Sequence, residues 1–362
     1  MAINVDLNAS DWDRLRRDWT AWWEGELERP LLYLHEHATE AGKPLPEAPH
    51  ITASLPLDLS PEQVLDRYQP WLECSRFYGD AFPYWNPNYG PGAVAALLGC
   101  RPVPVPSTVW FEPLPIRDIA DVRVALDDSS LWWHKISELT EAAVARWGAQ
   151  VAVVHSDLGG NLDILAHLRG SQQLLLDMCD APDEVARLCA EITRVWLRCF
   201  NELSTIIARA GNGFANWGPM WAPSPTYMLQ SDISYMMSPA MFERFVMPDL
   251  SACCEAMDYP FYHLDGAGAI PHLDMLLSLR RLRGVQWIPG APAVPASHWL
   301  PLLKRIRDAG KLCQVVEASA EDVRTIVREL GGRGFFFQLP PMSPGDAEDL
   351  IGALAGDEPR RR

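Results

Sequence analysis

His263 and Asp265 stand two residues apart at the end of an apolar run, Phe261-Tyr262-His263-Leu264-Asp265, immediately before Gly266-Ala267-Gly268. Side chains at this spacing on a strand share a face, so an imidazole and a carboxylate converge on one ligand, metal or proton where the chain turns. A similar pair ends another apolar run, Val151-Ala152-Val153-Val154-His155, which leads into Ser156-Asp157-Leu158-Gly159-Gly160-Asn161. Here His155 and Asp157 either act as base and orienting acid, or Asp157 caps the turn or the following helix. Asp232, just beyond Gln230, either binds substrate or caps a short helix. Trp217, Trp221 and Trp287 offer walls for a flat or apolar ligand. His35, Asn86, Glu317 and Gln338 are further polar residues at or just beyond strand ends.

These groups need a frame, and the chain supplies a repeating one. Apolar strand-like runs near residues 31, 81, 151, 213, 261, 285, 312 and 334 are mostly followed by helical stretches. Eight such units predict an α/β protein with a single (β/α)8 TIM barrel over residues 1–362, in which strand carboxyl ends and the loops after them carry the chemistry. An amphipathic helix is predicted over residues 9–29 from the spacing of Trp12, Leu15, Trp19, Trp22 and Trp23. Ser60-Pro61-Glu62-Gln63 has the form of a capping box opening a helix through about Gly79, and Ser238-Pro239 and Ser319 mark further helix starts. Gly213 to Trp217 reads as the fourth strand. The proline-punctuated segment 100–128, with Thr108-Val109-Trp110-Phe111, predicts an inserted strand or hairpin covering one end of the fold. Residues 357–362 read as a frayed tail.

The bulk composition narrows the function classes. Hydrophobic residues at 48% against 22% charged exclude a disordered chain. A formal charge of -16 argues against nucleic-acid or anionic-membrane partners. The eight cysteines lack zinc-type spacing, and no run approaches the length of a membrane span. The expectation is a cytoplasmic enzyme with a small-molecule substrate.

Several of these stretches together resemble the uroporphyrinogen decarboxylase superfamily, which includes barrel methyltransferases that serve corrinoid proteins. The resemblance lies in Asp157-Leu158-Gly159-Gly160-Asn161-Leu162-Asp163-Ile164-Leu165, in Leu168-Arg169-Gly170 to Asp177 with Pro182-Asp183-Glu184-Val185, and in Asp232 to Phe242. His263-Leu264-Asp265-Gly266 and Val285-Gln286-Trp287-Ile288-Pro289-Gly290 complete it. It implies a methyltransferase moving a methyl group between a small organic substrate and a corrinoid on a partner protein. A decarboxylase of a small carboxylic acid and a non-catalytic ligand-binding barrel are the alternatives.

Two signatures of the superfamily are altered. The arginine-rich turn that meets tetrapyrrole carboxylates reads His35-Glu36-His37-Ala38 here, which removes two cations, and Asp80 precedes the second strand rather than following it. The zinc-binding His-x-Cys of the thiol-activating relatives reads His263-Leu264-Asp265, with no cysteine from Phe335 to Met342. What is left is a harder set, His263 and Asp265 with Glu317, suited to a divalent metal such as zinc.

Overall fold

The computed structural model describes residues 3–39, 43–105, 108–148, 150–290 and 294–355; the predicted tail 357–362 lies outside them. The strands in chain order are β1 (Leu31–His37), β2 (Ser75–Gly79), β3 (Tyr84–Trp85), β4 (Arg101–Val105), β5 (Thr108–Glu112), β6 (Ala152–Val153) and β7 (Phe214–Ala215). They continue as β8 (Trp221–Ala222), β9 (Thr226–Leu229), β10 (Tyr259–Asp265), β11 (Gly284–Ile288), β12 (Leu312–Val316) and β13 (Phe335–Gln338). One sheet runs β2-β1-β13-β12-β11-β10-β9, parallel throughout except for β2, which lies antiparallel to β1. β3 and β6 form a separate parallel pair. Six parallel strands and this pair, with helices between them, make an α/β arrangement of the barrel-like kind; a hydrogen-bonded ladder joining the two sets is absent among the described residues.

Several local expectations hold. The capping box at Ser60 and Gln63 forms, Ser238 and Ser319 cap their helices, and β4 and β5 make the inserted hairpin. Others need correction. The N-terminal helix spans Ala9–Trp23, six residues short of 29, because Gly25 takes a left-handed φ of 70°. The helix begun at Pro61 stops at Glu73, and the residues expected to continue it form β2. The strand placed near 81 is confined to Tyr84–Trp85. Gly213 to Trp217 is not the fourth parallel strand: Phe214–Ala215 turns back on Trp221–Ala222 as a hairpin, and Thr226–Leu229 takes the place beside β10. The helix expected to carry Phe242, Phe245, Val246 and Leu250 on one stripe is broken at Val246, where Pro248 enters the first turn of the next helix.

Alternation along the strands separates two apolar layers. Outward residues such as Leu32, Leu34, Tyr262, Leu264, Val285 and Trp287 pack towards the helices. Inward ones, including Leu31, Tyr33, Phe82, Phe261 and Phe336, meet Trp12, Trp19, Trp22 and Trp23 of the N-terminal helix. Trp19, Trp22 and Trp23 each bury an indole N–H on a backbone carbonyl, of Asp80 at 3.1 Å, Phe335 at 3.0 Å and Trp221 at 2.7 Å. The helix thus closes the amino ends of the strands and leaves the carboxyl ends open. No helix of the described residues is long and apolar enough to cross a membrane.

Candidate active site

β10 delivers the principal groups. Because Phe261 lies in the inner layer, His263 and Asp265 point the same way, and the 3₁₀ turn Asp232–Met236 after β9 brings in Asp232. Ligand atoms of Asp232, His263 and Asp265 all lie within 4.8 Å of one another at the carboxyl edge of the sheet. Trp217 stands edge-on to the His263 ring, with centroids 5.3 Å apart.

A row of glutamines underlies the histidine. His263, Gln286 and Gln314 occupy matching positions on β10, β11 and β12. His263 Nδ1 bonds Gln286 Oε1, Gln286 Nε2 donates to Gln314 Oε1 at 2.9 Å, and Gln314 Nε2 donates to Gly218 O at 2.8 Å and Gln338 Oε1 at 3.2 Å. Gly218 leaves room for the row, since a Cβ there would lie 3.1 Å from Gln314 Oε1 and 3.2 Å from Gln286 Nε2 and would displace the end of the Met228 side chain.

Two further carboxyls border the trio. Asp157 Oδ1 accepts from Gly159 N at 2.9 Å and from Tyr227 Oη at 3.3 Å. Burial raises its pKa to about 6, against the Gly159 N–H; Asp232 adds to the rise, while Tyr227 and His263 oppose it. Asp163, in the first turn of helix Asn161–Arg169, accepts the backbone N–H groups of Asp232 and Ile233, both at 2.9 Å. Burial and the charge of Asp232 push its pKa up. Asp232 is exposed to solvent at the mouth yet crowded by protein on its other sides, and that crowding raises its carboxyl; His263 opposes the rise and Asp265 adds to it. Gly160 permits the close approach of these loops, because a Cβ there would meet Gln230 O at 2.2 Å.

The other expected site residues are divided between mouth and core. Gln338 joins the glutamine row. His35, half-buried on β1, lies near Tyr33 and His37 and is held neutral by burial, with a smaller effect of His37. Asn86 is half-buried just after β3. His155 is not at the mouth: Val154 belongs to the inner layer, so His155 faces outward, stacks on Phe200 at 4.9 Å and bonds Ser204 Oγ at 2.9 Å. Trp221 is not a pocket wall, since it packs in the inner layer with the tryptophans of the N-terminal helix and donates to Asn212 O. Trp287 points outward, opposite Gln286, and packs on Trp299 at 4.9 Å. Glu317 is exposed and outside the converging trio, where Asp232 replaces it. Its φ of 57° is the one left-handed value at a non-glycine among the described residues. Gln286, Gln314 and Asp163 were missed as site residues; the signal for the glutamines is a lone amide inside each of two otherwise apolar strands.

Beside Asp232 a cavity of about 330 Å³ is lined by residues including Val109 and Trp110 of the inserted hairpin, His167, Gln230, Ile233, Met236 and Asp163. None of its lining residues is lysine or arginine. His167 there is neutral, its pKa lowered to about 4 by burial.

A mostly parallel sheet with polar groups gathered at its carboxyl edge defines the class as an α/β fold of the barrel-like kind. Among solved structures, a methyltransferase from Methanosarcina mazei is similar over 94% of this chain and 97% of its own, at TM-score 0.57 and 14% sequence identity. This is a likeness of fold. No protein-family model matches the chain, and no curated protein matches its sequence.

Proposed function

We propose that this chain is a methyltransferase of the uroporphyrinogen decarboxylase superfamily, acting on a small uncharged or cationic methylated compound with a corrinoid-bearing protein as partner. The observation that carries the reading is the convergence of Asp232, His263 and Asp265 at the mouth of a fold shared with a methyltransferase over nearly its whole length.

One imidazole and two carboxylates fit a hard or borderline divalent ion such as zinc, cobalt or manganese, and do not fit the thiolate-rich centre of the thiol-activating relatives. Such an ion supplies Lewis acidity to the heteroatom that gives up or accepts the methyl group. The protein's own groups do the rest. Asp157 keeps Oδ2 free of the hydrogen bonds that occupy Oδ1, and with a pKa of about 6 it holds or returns a proton at that oxygen near neutral pH. The cavity beside Asp232 holds the organic substrate. None of its lining residues is a lysine or arginine that could pair with a substrate carboxylate, which disfavours decarboxylation of a carboxylic acid. Trp110, Tyr235 and Met236, 65%, 56% and 56% exposed, provide an apolar rim suited to a flat macrocycle on a partner.

The test is methyl transfer to cob(I)alamin, followed by its visible spectrum, across amines, ethers and thioethers. Metal analysis of wild type, Asp232→Ala, His263→Ala and Asp265→Ala accompanies it. The expected result is transfer from at least one uncharged or cationic donor, with bound metal lost in each variant. Equal metal content in all four proteins would remove the metal centre, and carbon dioxide release without methyl transfer would replace the proposed reaction.

A further inference from the structure

We infer that a one-way chain of amide hydrogen bonds beginning at the Gly218 carbonyl fixes His263 as the Nδ1–H tautomer and leaves Nε2 as the atom presented to Asp232 and Asp265. The inference stands on the hydrogen-bond pattern alone; its consequence for a metal rests on the function proposed above.

Side-chain amides can be placed either way round, and the network has to decide. Here one end of the network has no freedom. A backbone carbonyl only accepts, so the Gln314 atom 2.8 Å from Gly218 O is Nε2. The same amide nitrogen also reaches Gln338 Oε1 at 3.2 Å, using its second hydrogen. Gln314 Oε1 therefore faces Gln286 and accepts from Gln286 Nε2 at 2.9 Å. That leaves Gln286 Oε1 towards His263 Nδ1. An oxygen without a hydrogen requires a donor, so Nδ1 carries the proton of the neutral ring, and Nε2 is the nitrogen that then holds the lone pair.

Reversing the chain would set Gln314 Oε1 against Gly218 O, two acceptors in contact at a buried site. Gln314 is fully buried and Gln286 2% exposed, so water cannot relieve such a clash, and the reversed order would leave buried acceptors facing each other without a donor. The polarity is thus set two residues away from the histidine. Gln286 and Gln314 are positioning residues, acting through His263 rather than on substrate. The same arrangement orients metal-bound histidines generally, where loss of the outer partner weakens metal affinity roughly 10–100-fold.

The experiment is long-range ¹H–¹⁵N spectroscopy of protein carrying ¹⁵N-histidine, with His263→Gln identifying the His263 signals, run on wild type, Gln286→Leu, Gln314→Leu and Gln286→Glu. At alkaline pH, where the ring is neutral, wild type is expected to show a protonated Nδ1 and an unprotonated Nε2. Gln286→Leu and Gln314→Leu should move His263 towards a tautomer mixture, and Gln286→Glu, which keeps an acceptor at Nδ1, should retain the wild-type pattern. An Nε2–H tautomer in wild type, or Gln314→Leu identical to wild type, would overturn the inference. Should Gln286→Leu not fold, Gln314→Leu and Gln286→Glu decide it. Titration with Co²⁺ alone, read by its visible absorption, then separates the two claims. Binding about 10–100-fold weaker in Gln286→Leu than in wild type is expected. A changed tautomer with unchanged Co²⁺ affinity would keep the relay and show that Co²⁺ is not held through His263 Nε2.

Discussion

His155 and His263 both end apolar strand segments, and only the parity of their strands separates their roles. His263 shares the inner face with Phe261, while His155 follows the inward Val154 and is carried into the helical layer. Full burial there lowers the His155 pKa to about 3, against a smaller opposing effect of the Phe200 backbone. The unfolded chain binds a proton near pH 6.5 that the native protein refuses, so this group's contribution is intact above pH 6.5 and is lost as pH falls towards 3, at about 1.4 kcal/mol per pH unit. His155→Phe removes that loss. Near pH 8 the variant should be less stable by roughly 1 kcal/mol, because Ser204 Oγ loses its partner. Urea midpoints measured from pH 8 to pH 4 should then fall less steeply in the variant than in wild type, and parallel curves would show that His155 is not the group responsible. Same-face spacing held for His263 and Asp265 but not for His155 and Asp157, because β6 ends at Val153 and the chain has left the strand before Asp157, which turns to the mouth. Which face was inside was not legible, because that depends on neighbouring strands that a local pattern does not contain.

At the level of elements, amphipathic spacing correctly placed the tryptophans of the N-terminal helix on a buried face, and the structure adds what that face covers. Trp22 is fully buried, lies 6.1 Å from the rings of both Phe261 and Phe336, and donates to Phe335 O. An aromatic of this size removes roughly 150–250 Å² from water, and the helix closes the sheet at the end opposite the mouth. Trp22→Ala should therefore cost about 3–5 kcal/mol in urea unfolding, while the His263 ¹⁵N signals in the native protein stay unchanged. A shift of those signals would mean that the two ends of the sheet are coupled. The fourth strand was misplaced for a related reason. Phe214–Ala215 and Thr226–Leu229 are both short apolar runs, and their partners, an antiparallel arm for one and β10 for the other, are set by the turn between them. The glutamine row was hidden in the same way: each glutamine looks like a lone polar residue until the register of β10, β11 and β12 brings them side by side.

On the scale of the whole molecule, the inserted hairpin makes the cavity beside Asp232 more than a rim of strand ends. Its β5 strand alternates sharply. Val109 and Phe111 are 2% and 7% exposed, whereas Trp110 between them is 65% exposed. Phe111 packs on His167 with ring centroids 4.8 Å apart, and Val109 sits so close to Gly90 that a Cβ on the glycine would lie 2.4 Å from it. The inward pair anchors the hairpin, and Trp110 contributes little to that anchoring. It lines the cavity nonetheless, so an indole left in water at a cavity wall is available for a ligand or a partner. The two roles predict different consequences. Trp110→Ala should leave the urea midpoint nearly unchanged, within about 0.5 kcal/mol, and weaken substrate or partner binding, seen as a raised KM in the methyl-transfer assay. Val109→Ala should lower stability by roughly 1.5–3 kcal/mol through lost packing, with KM affected only through the hairpin's position. If Trp110→Ala instead lowered stability and left KM unchanged, the hairpin would be a structural cover with no part in recognition.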